Sequence, residues 1–180
     1  MRIVLFHGYG SNGADLRALA PFAECPDGPL SLDWGGRAWF SLGFGNDGPL
    51  WSEAEVRDAA RPWIDRVEGA VIGGFSQGGA MVHALLAMGA KPSAAIVMSG
   101  FPALADALPP LDGLPVLVTH GRRDPVVPFR AAEELTARLR AAGATVETSF
   151  DAAEHTVSAN HLEAIMIFLA DPRGTASAEE

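Results

Sequence analysis

The chain has 180 residues, of which 48% are hydrophobic, so we expect a single domain over residues 1–172 with one sizeable core, followed by a flexible polar tail over residues 173–180. Its formal net charge of −9 at pH 7 repels phosphate backbones and anionic membrane surfaces, which argues against a nucleic-acid partner and against membrane insertion. Because no apolar run is long enough for a signal peptide or a membrane span, and Cys25 is the single cysteine, we expect a cytoplasmic protein.

Four short apolar runs recur along the chain, with helical patterns between them. The runs cover residues 3–6, 70–72, 94–98 and 116–119. Near-continuous apolar segments of this length are typical of strands buried on both faces of a parallel sheet. Residues 145–150 instead alternate apolar and polar side chains, which predicts an exposed edge strand. The alternation of strands and helices predicts a compact α/β fold, with a mostly parallel sheet flanked by helices.

Three of the helical segments have recognisable ends. Ser52 followed by Glu55 predicts a capping box at the start of one segment, which Pro62 interrupts. Two later segments carry apolar faces formed by Leu135, Leu139 and Ala142 and by Leu162, Ile165, Met166 and Leu169. We expect the first of these two helices to stop at Gly143 and the second before Pro172.

A serine motif follows the apolar run at residues 70–72. Gly74 to Gly78 match G-x-S-x-G between a predicted strand and a predicted helix, and ligands bind at the carboxyl ends of strands in such folds. A serine on a sharp turn needs neighbours without Cβ atoms, so that its hydroxyl projects clear of the sheet. The alternative is a glycine-rich turn with an incidental serine. The strand-turn-helix context favours Ser76 as a nucleophile.

A serine hydroxyl is a weak nucleophile at neutral pH and needs a base. In hydrolases with this motif the chain order is serine, acid, histidine. His7, His83 and His120 all precede the best candidate acid, Asp124, which leaves His155 and His161. His155 lies in a loop before a helix that begins near Ser158. His161 falls in the first turn of that helix, where an ordinary polar surface residue is the simplest interpretation. The sequence therefore favours His155.

The orienting acid is best sought in the loop after residues 116–119. Asp124 precedes a proline there, in an extended or turn conformation, and a second proline follows at Pro128. Such rigidity suits a carboxylate that orients an imidazole, although a turn-capping aspartate would look the same. Asp151 and Glu154 are fallback acids close in sequence to His155. With the serine and histidine in place, Asp124 is favoured.

Backbone amides are expected to hold the oxyanion of a reacting ester. In this arrangement one donor is the residue after the nucleophile, Gln77, and the other comes from a loop after an earlier strand, where we favour Tyr9. The loop at residues 7–13 lacks the spacing of a phosphate-binding loop. His7 and His120 could pair on a metal, but no third ligand has convincing spacing, so we expect no metal.

Four ordered motifs together resemble the phospholipase/carboxylesterase family of α/β-hydrolases, which includes bacterial carboxylesterases and acyl-protein thioesterases. They lie at residues 7–16, 74–78, 121–128 and 155–158, and the resemblance runs from Met1 to about Leu169. It implies a serine esterase without a cofactor, with catalytic roles for Ser76, Asp124 and His155. It also implies oxyanion amides at Tyr9 and Gln77, and a substrate-lining aromatic pair at Trp39 and Phe40.

The chain departs from the family pattern at several places. Residues 16–26 are shortened, so the strand expected at residues 22–25 is short and polar, and Glu154 stands where the family usually has glycine. Glu154 could interact with the neighbouring His155 or point to solvent. A trimmed sheet edge could expose apolar surface and favour a homodimer.

Substrate class is predicted less sharply than chemistry. The loop from Ser99 to Pro115 has no room for a large lid, which favours an open cleft. The residues that could form an apolar pocket are Tyr9, Trp39, Phe40, Leu42, Phe44, Phe101 and Val126, although each could equally be core. The leading function is a carboxylesterase acting on small-molecule esters with short or medium acyl chains. The alternatives are an acyl-protein thioesterase or lysophospholipase, and a non-catalytic ligand-binding protein.

Overall fold

The computed structural model describes residues 1–17 and 20–172. Its strands are β1 (Ile3–Phe6), β2 (Leu30–Ser31), β3 (Arg37–Ala38), β4 (Gly43–Gly45), β5 (Gly48–Leu50), β6 (Val71–Phe75), β7 (Ala94–Met98), β8 (Pro115–Gly121) and β9 (Thr145–Asp151). Its α-helices are α1 (Gly13–Arg17), α2 (Glu53–Ala60), α3 (Gln77–Ala87), α4 (Phe129–Ala141) and α5 (Ala159–Ala170). The predicted flexible tail, residues 173–180, lies outside the described residues.

The central sheet is parallel throughout, with strand order β1-β6-β7-β8-β9. All four apolar runs are strands in it, and β9 is the predicted edge strand. β6 continues past the apolar run through Gly73 and Gly74, because both of its neighbours pair with it along this stretch. The carboxyl ends of all five strands therefore meet at one edge of the sheet, which positions the loops that carry the candidate site.

Helices cover both faces of this sheet. Phe6, Ile72 and Val97 pack with α2, α3 and α4 in the main core, whereas Val71 and Ile96 point to the other face and pack with α5. Successive strand residues alternate between the two faces, which explains why the runs are apolar without interruption. The connection from β7 to β8, residues 99–114, contains neither a helix nor a strand. The predicted compact α/β fold, with a mostly parallel sheet flanked by helices, is thus confirmed, and the described residues contain no large lid.

The predicted capping box at the start of α2 is wrong. Ser52 is the N-cap residue, but its side chain accepts no capping hydrogen bond. The Glu55 carboxylate instead accepts the Ser41 N–H at 2.9 Å, so it does not reach back to Ser52. The interruption at Pro62 is confirmed, because α2 ends at Ala60 and the chain continues in two 3₁₀ turns, Arg61–Trp63 and Asp65–Val67.

The expectation of a surface histidine at His161 is also wrong. His161 is fully buried and occupies the third helical position of α5, where it completes a capping box with Ser158. Leu162 and Met166, which belong to the predicted apolar face, are 40% and 60% exposed. The helix itself begins and ends where the sequence predicts, but its burial is reversed at these positions.

The sheet edge beside β1 is reduced. The strand expected at residues 22–25 consists of one parallel bridge between Val4 and Glu24, closed by Leu5 N–H to Glu24 O at 2.8 Å and Glu24 N–H to Ile3 O at 2.9 Å. None of the helices in the described ranges is long and apolar enough to cross a membrane. The single domain, the cytoplasmic location and the homodimer stay predictions.

Candidate active site

Ser76 occupies the turn between β6 and α3 with a positive φ, which a residue with a side chain rarely adopts, at φ 55° and ψ −114°. Two glycines make this turn possible. A Cβ atom at Gly74 would lie 2.1 Å from the Gly78 carbonyl oxygen, and one at Gly78 would lie 1.9 Å from the Phe6 carbonyl oxygen. Larger residues would therefore force the backbone apart, which is the physical reason for the G-x-S-x-G spacing.

A continuous hydrogen-bonded chain links Ser76, His155 and Asp124. His155 Nε2 lies 2.9 Å from Ser76 Oγ, and His155 Nδ1 lies 2.6 Å from Asp124 Oδ2. In the tautomer that fits both contacts, Nδ1–H donates to the carboxylate and Nε2 accepts from the hydroxyl. The structure thus brings together the three residues that the sequence predicts, from three separate loops. Such an array can remove a proton from the serine as it attacks a carbonyl carbon.

The Asp124 carboxylate is buried and held by several donors. Its Oδ1 accepts the Val126 and Val127 amides, each at 2.8 Å. His120 Nε2 donates to the Val127 carbonyl and lies 3.4 Å from Asp124 Oδ2. Burial raises the pKa of Asp124, but hydrogen bonds from His155 and the two amides outweigh it and hold the pKa below its ordinary value. Asp124 is therefore an ionised, fixed partner for His155.

The loops that carry Asp124 and His155 are tied to each other. The Arg122 N–H donates to the Asp151 carbonyl at 2.7 Å, and the Arg123 N–H donates to the Ala153 carbonyl at 3.1 Å. Arg123 Nε adds a bond to the Ala152 carbonyl at 2.6 Å. These contacts fix the position of the imidazole relative to the carboxylate.

The two fallback acids lie elsewhere. Asp151 accepts the Ser158 hydroxyl and the Ala153 amide, and its Oδ1 lies 3.2 Å from His161 Nε2. Burial raises the pKa of Asp151, while the hydrogen bonds from Ser158 and Ala153 outweigh it and lower the pKa. Glu154 is exposed. Asp151 thus holds the start of α5 rather than contacting His155.

The two amides predicted to form an oxyanion hole lie beside Ser76. Gln77 begins α3, and Tyr9 follows β1, the direct neighbour of β6 in the sheet. A Cβ atom at Gly8 would lie 3.5 Å from Ser76 Cβ, which shows how closely the loop approaches the nucleophile. Within the described residues, neither the Tyr9 nor the Gln77 amide donates a hydrogen bond. Neither amide is therefore committed to another acceptor within the described residues.

The predicted substrate-lining residues have little free surface. Trp39, Phe40 and Phe101 are each 1–2% exposed, and Val126 is half-buried. Phe101 packs against Trp51, with ring centroids 4.6 Å apart. These aromatic side chains mainly fill the core behind the site.

His7, which the sequence raised as half of a metal pair with His120 without favouring it, has both ring nitrogens hydrogen-bonded. Its Nδ1 donates to the Gly8 carbonyl at 2.7 Å, and its Nε2 accepts the Gly28 amide at 2.9 Å. Both ring nitrogens are therefore engaged in fixing loops. Among the described residues, no group of three His, Cys, Asp or Glu side chains is arranged to hold a metal ion.

A model of the phospholipase/carboxylesterase family matches residues 1–171 of the sequence. The chain belongs to the phospholipase/carboxylesterase family. As a member of this family, it is a hydrolase of the esterase or thioesterase type. The resemblance stated from the sequence motifs is thereby confirmed.

Three known proteins illustrate the relationship. Acyl-protein thioesterase 1 of Neurospora crassa is 26% identical, in an alignment that covers 94% of this chain and 85% of that protein. The crystal structure of esterase PE8 shares 27% identity and a TM-score of 0.76, over 94% of this chain and 91% of that one. The Bacillus cereus carboxylesterase has a TM-score of 0.84 over 95% of this chain and 88% of its own, and at 20% identity this likeness shows the fold alone.

Sequence reasoning missed two side chains near the site of this family member. The sequence predicts only a backbone role for Gln77, yet its side chain is fully buried and hydrogen-bonded to the backbone of Trp39 and Phe40. The family resemblance implies a substrate contact for Trp39, yet its indole N–H donates to the His7 carbonyl. A buried glutamine or tryptophan must find partners for its polar atoms, but the sequence alone does not show that these two side chains are buried.

Proposed function

We propose that this protein is a serine carboxylesterase that hydrolyses short- to medium-chain carboxylic esters through an acyl-enzyme on Ser76. The observation that carries the proposal is the hydrogen-bonded chain from Ser76 Oγ through His155 to Asp124, with contacts of 2.9 and 2.6 Å. It lies at the carboxyl edge of the sheet, beside two amides without acceptors among the described residues. These are the parts that acyl transfer requires around one carbonyl group, which supports the proposal.

The reaction follows from this geometry in two halves. His155 Nε2 takes the proton of Ser76 Oγ as the oxygen attacks the ester carbonyl, and the amides of Tyr9 and Gln77 bind the resulting oxyanion. Collapse breaks the bond to the leaving alcohol, whose oxygen receives the proton from His155. Water then repeats the sequence on the acyl-enzyme, releasing the acid and restoring Ser76. Asp124 holds the imidazole in the tautomer that each transfer requires.

An exposed aromatic surface next to Tyr9 supports an apolar substrate. The Tyr9 ring neighbours Trp34, at a centroid distance of 6.3 Å, and Phe44, at 6.4 Å. Trp34 is 72% exposed and Phe44 is 60% exposed. Because the Tyr9 amide is the proposed oxyanion donor, these rings border the place where the ester carbonyl would sit. We propose that they contact the apolar part of the ester.

Thioester hydrolysis is the second candidate, and one finding favours it. The relative from Neurospora crassa is named an acyl-protein thioesterase and aligns with 94% of this chain. The same array of serine, histidine and amides can attack either an oxygen ester or a thioester. The relative rates on matched substrates distinguish the two.

The test is hydrolysis of a p-nitrophenyl ester series from acetate to laurate, with matched thioesters, by the wild type and Ser76→Ala. We expect turnover that requires Ser76 and falls at the longest chains. Faster turnover of the thioesters would favour the second candidate. A folded wild type that neither hydrolyses any of these compounds nor reacts with a fluorophosphonate would contradict both and favour a non-catalytic binding protein.

A further inference from the structure

The Gln77 side chain joins the start of α3 to a separate segment of the chain. It is fully buried, its Oε1 accepts the Trp39 N–H at 2.8 Å, and its Nε2 donates to the Phe40 carbonyl at 2.7 Å. Both bonds go to backbone atoms, so they fix where residues 39 and 40 lie relative to the amide of Gln77 itself. A buried amide with both ends paired is a rigid connection.

The Trp39 side chain continues this connection to the loop after β1. Trp39 is 2% exposed, and its Nε1–H donates to the His7 carbonyl at 2.9 Å. Its ring also packs on the His7 ring, with centroids 5.2 Å apart. His7 is two residues before Tyr9, whose amide is the second proposed oxyanion donor. One hydrogen-bonded path therefore runs from Gln77 through Trp39 to the loop of Tyr9.

We infer that the side chains of Gln77 and Trp39 are positioning residues that hold the two oxyanion-binding amides at a fixed separation. This inference rests on the proposed function. The amides belong to different segments, and within the described residues neither is restrained by a hydrogen bond of its own. Preorganised donors stabilise an oxyanion only when they are held close to the productive geometry. Backbone bonds between Arg37 and residues 10 and 11 hold the far end of the Tyr9 loop, and the path through Trp39 holds its near end, at His7, to Gln77.

Trp63 provides a matched control for loss of packing. It belongs to the same buried aromatic cluster, with ring centroids 5.4 Å from Phe6 and 6.2 Å from Trp39. Within the described residues its indole makes no hydrogen bond to the loop of Tyr9. Replacing either tryptophan by phenylalanine removes the same atoms from the same cluster. Only the change at Trp39 breaks the path between the two amides.

The experiment compares Trp39→Phe, Gln77→Met, the double variant and Trp63→Phe. We measure kcat and KM on p-nitrophenyl butyrate, and affinity for a trifluoromethyl ketone that forms a tetrahedral adduct with serine. Each single change in the path should lower kcat and ketone affinity roughly tenfold, with KM within about twofold, because only the tetrahedral state carries the oxyanion. The double variant should lose no more than about twice the larger single loss. Trp63→Phe should keep kcat within about twofold.

The outcomes distinguish a failure of the positioning role of Gln77 and Trp39 from a failure of the proposed function. The positioning role would be overturned by a wild-type kcat in Trp39→Phe or by losses of kcat that multiply in the double variant. A loss of kcat in Trp63→Phe equal to that in Trp39→Phe would also overturn it. Wild-type turnover that persists in Ser76→Ala would instead overturn the proposed function. If Trp39→Phe does not fold, β-(3-benzothienyl)alanine at position 39 keeps the shape of the indole and removes only its N–H. Unchanged kcat in that protein would likewise contradict the positioning role of Trp39.

Discussion

The two carboxylate oxygens of Asp124 have different hydrogen-bond partners. Oδ1 accepts two backbone amides at 2.8 Å, while Oδ2 faces His155 Nδ1 at 2.6 Å. In Asp124→Asn the remaining oxygen can still accept both amides, so the loop should keep its shape. The new NH₂ group, facing His155, favours the tautomer that leaves Nε2 protonated and unable to accept from Ser76. Turnover should fall by about 10⁴, as in the best-known triad.

This prediction is checked by kcat on a p-nitrophenyl ester together with urea denaturation. Retained stability with lost turnover would place Asp124 in the chemistry rather than in the fold. Near-normal turnover would move the acid to Asp151 or Glu154, even though Asp151 is committed to Ser158 and Ala153 in the structure.

Residues of the candidate site differ in how far the sequence predicts them. Ser76, His155 and Asp124 could be predicted because each lies in a short local pattern at the end of a predicted strand. The hydrogen bonds of the Gln77 and Trp39 side chains could not, because no local motif marks either side chain as a partner of residues 38 and 32 positions away in the chain. Local patterns carry no information about such partners.

At the scale of elements, two N-cap serines offer a matched comparison. The Ser158 hydroxyl accepts the His161 N–H at 3.1 Å and donates to Asp151, whereas the Ser52 side chain makes no capping bond. Ser158→Ala should therefore lower the free energy of unfolding by about 1 to 2 kcal/mol. Ser52→Ala should lower it by no more than a few tenths of a kcal/mol, because no capping bond is lost. Urea denaturation measures both.

Equal losses for the two serines would contradict this comparison. The sequence pattern alone predicts the opposite ranking, since Ser52 is followed at the third position by glutamate and Ser158 by histidine. The structure reverses the ranking for two reasons. The Glu55 carboxylate accepts the Ser41 N–H instead of the Ser52 N–H, and the buried His161 has its Nδ1 3.3 Å from the Ser158 amide. Whether a capping pattern forms thus depends on the tertiary hydrogen bonds that its side chains make in the folded protein.

At the scale of the whole molecule, the sheet could be predicted better than its edges. The runs that became β1, β6, β7 and β8 are apolar throughout because they are buried on both faces, and this signal survives without knowledge of strand order. The short pairing of Val4 with Glu24 depends on long-range contacts that no local pattern reveals. The burial of His161 escaped prediction for the same reason, because polar character alone does not say which face of a helix is covered.

Buried histidines make the stability of the whole molecule sensitive to acid. Burial lowers the pKa of His7, His83 and His120, in the case of His83 from 6.5 to about 4. Between these two values the unfolded chain binds a proton at His83 that the folded chain does not. Stability is therefore lost as the pH falls from 6.5 towards about 4, by about 3 kcal/mol for His83 alone. Asp124 and Asp151, whose pKa values are lowered, lose their contributions only at lower pH.

The variant His83→Asn isolates the contribution of His83 to the loss of stability in acid. The other titrating groups are the same in the variant and the wild type, so their contributions cancel in the comparison. An asparagine oxygen can replace His83 Nδ1 as the acceptor of the Ala103 amide, and it does not titrate. The variant should be less stable at pH 7, because a smaller side chain leaves space in the core. Between pH 7 and about pH 4.5, however, it should lose about 2 to 3 kcal/mol less than the wild type in urea denaturation. If the two proteins lose stability in parallel, His83 is not the group that the acid protonates, and His7 and His120 become the groups to replace next.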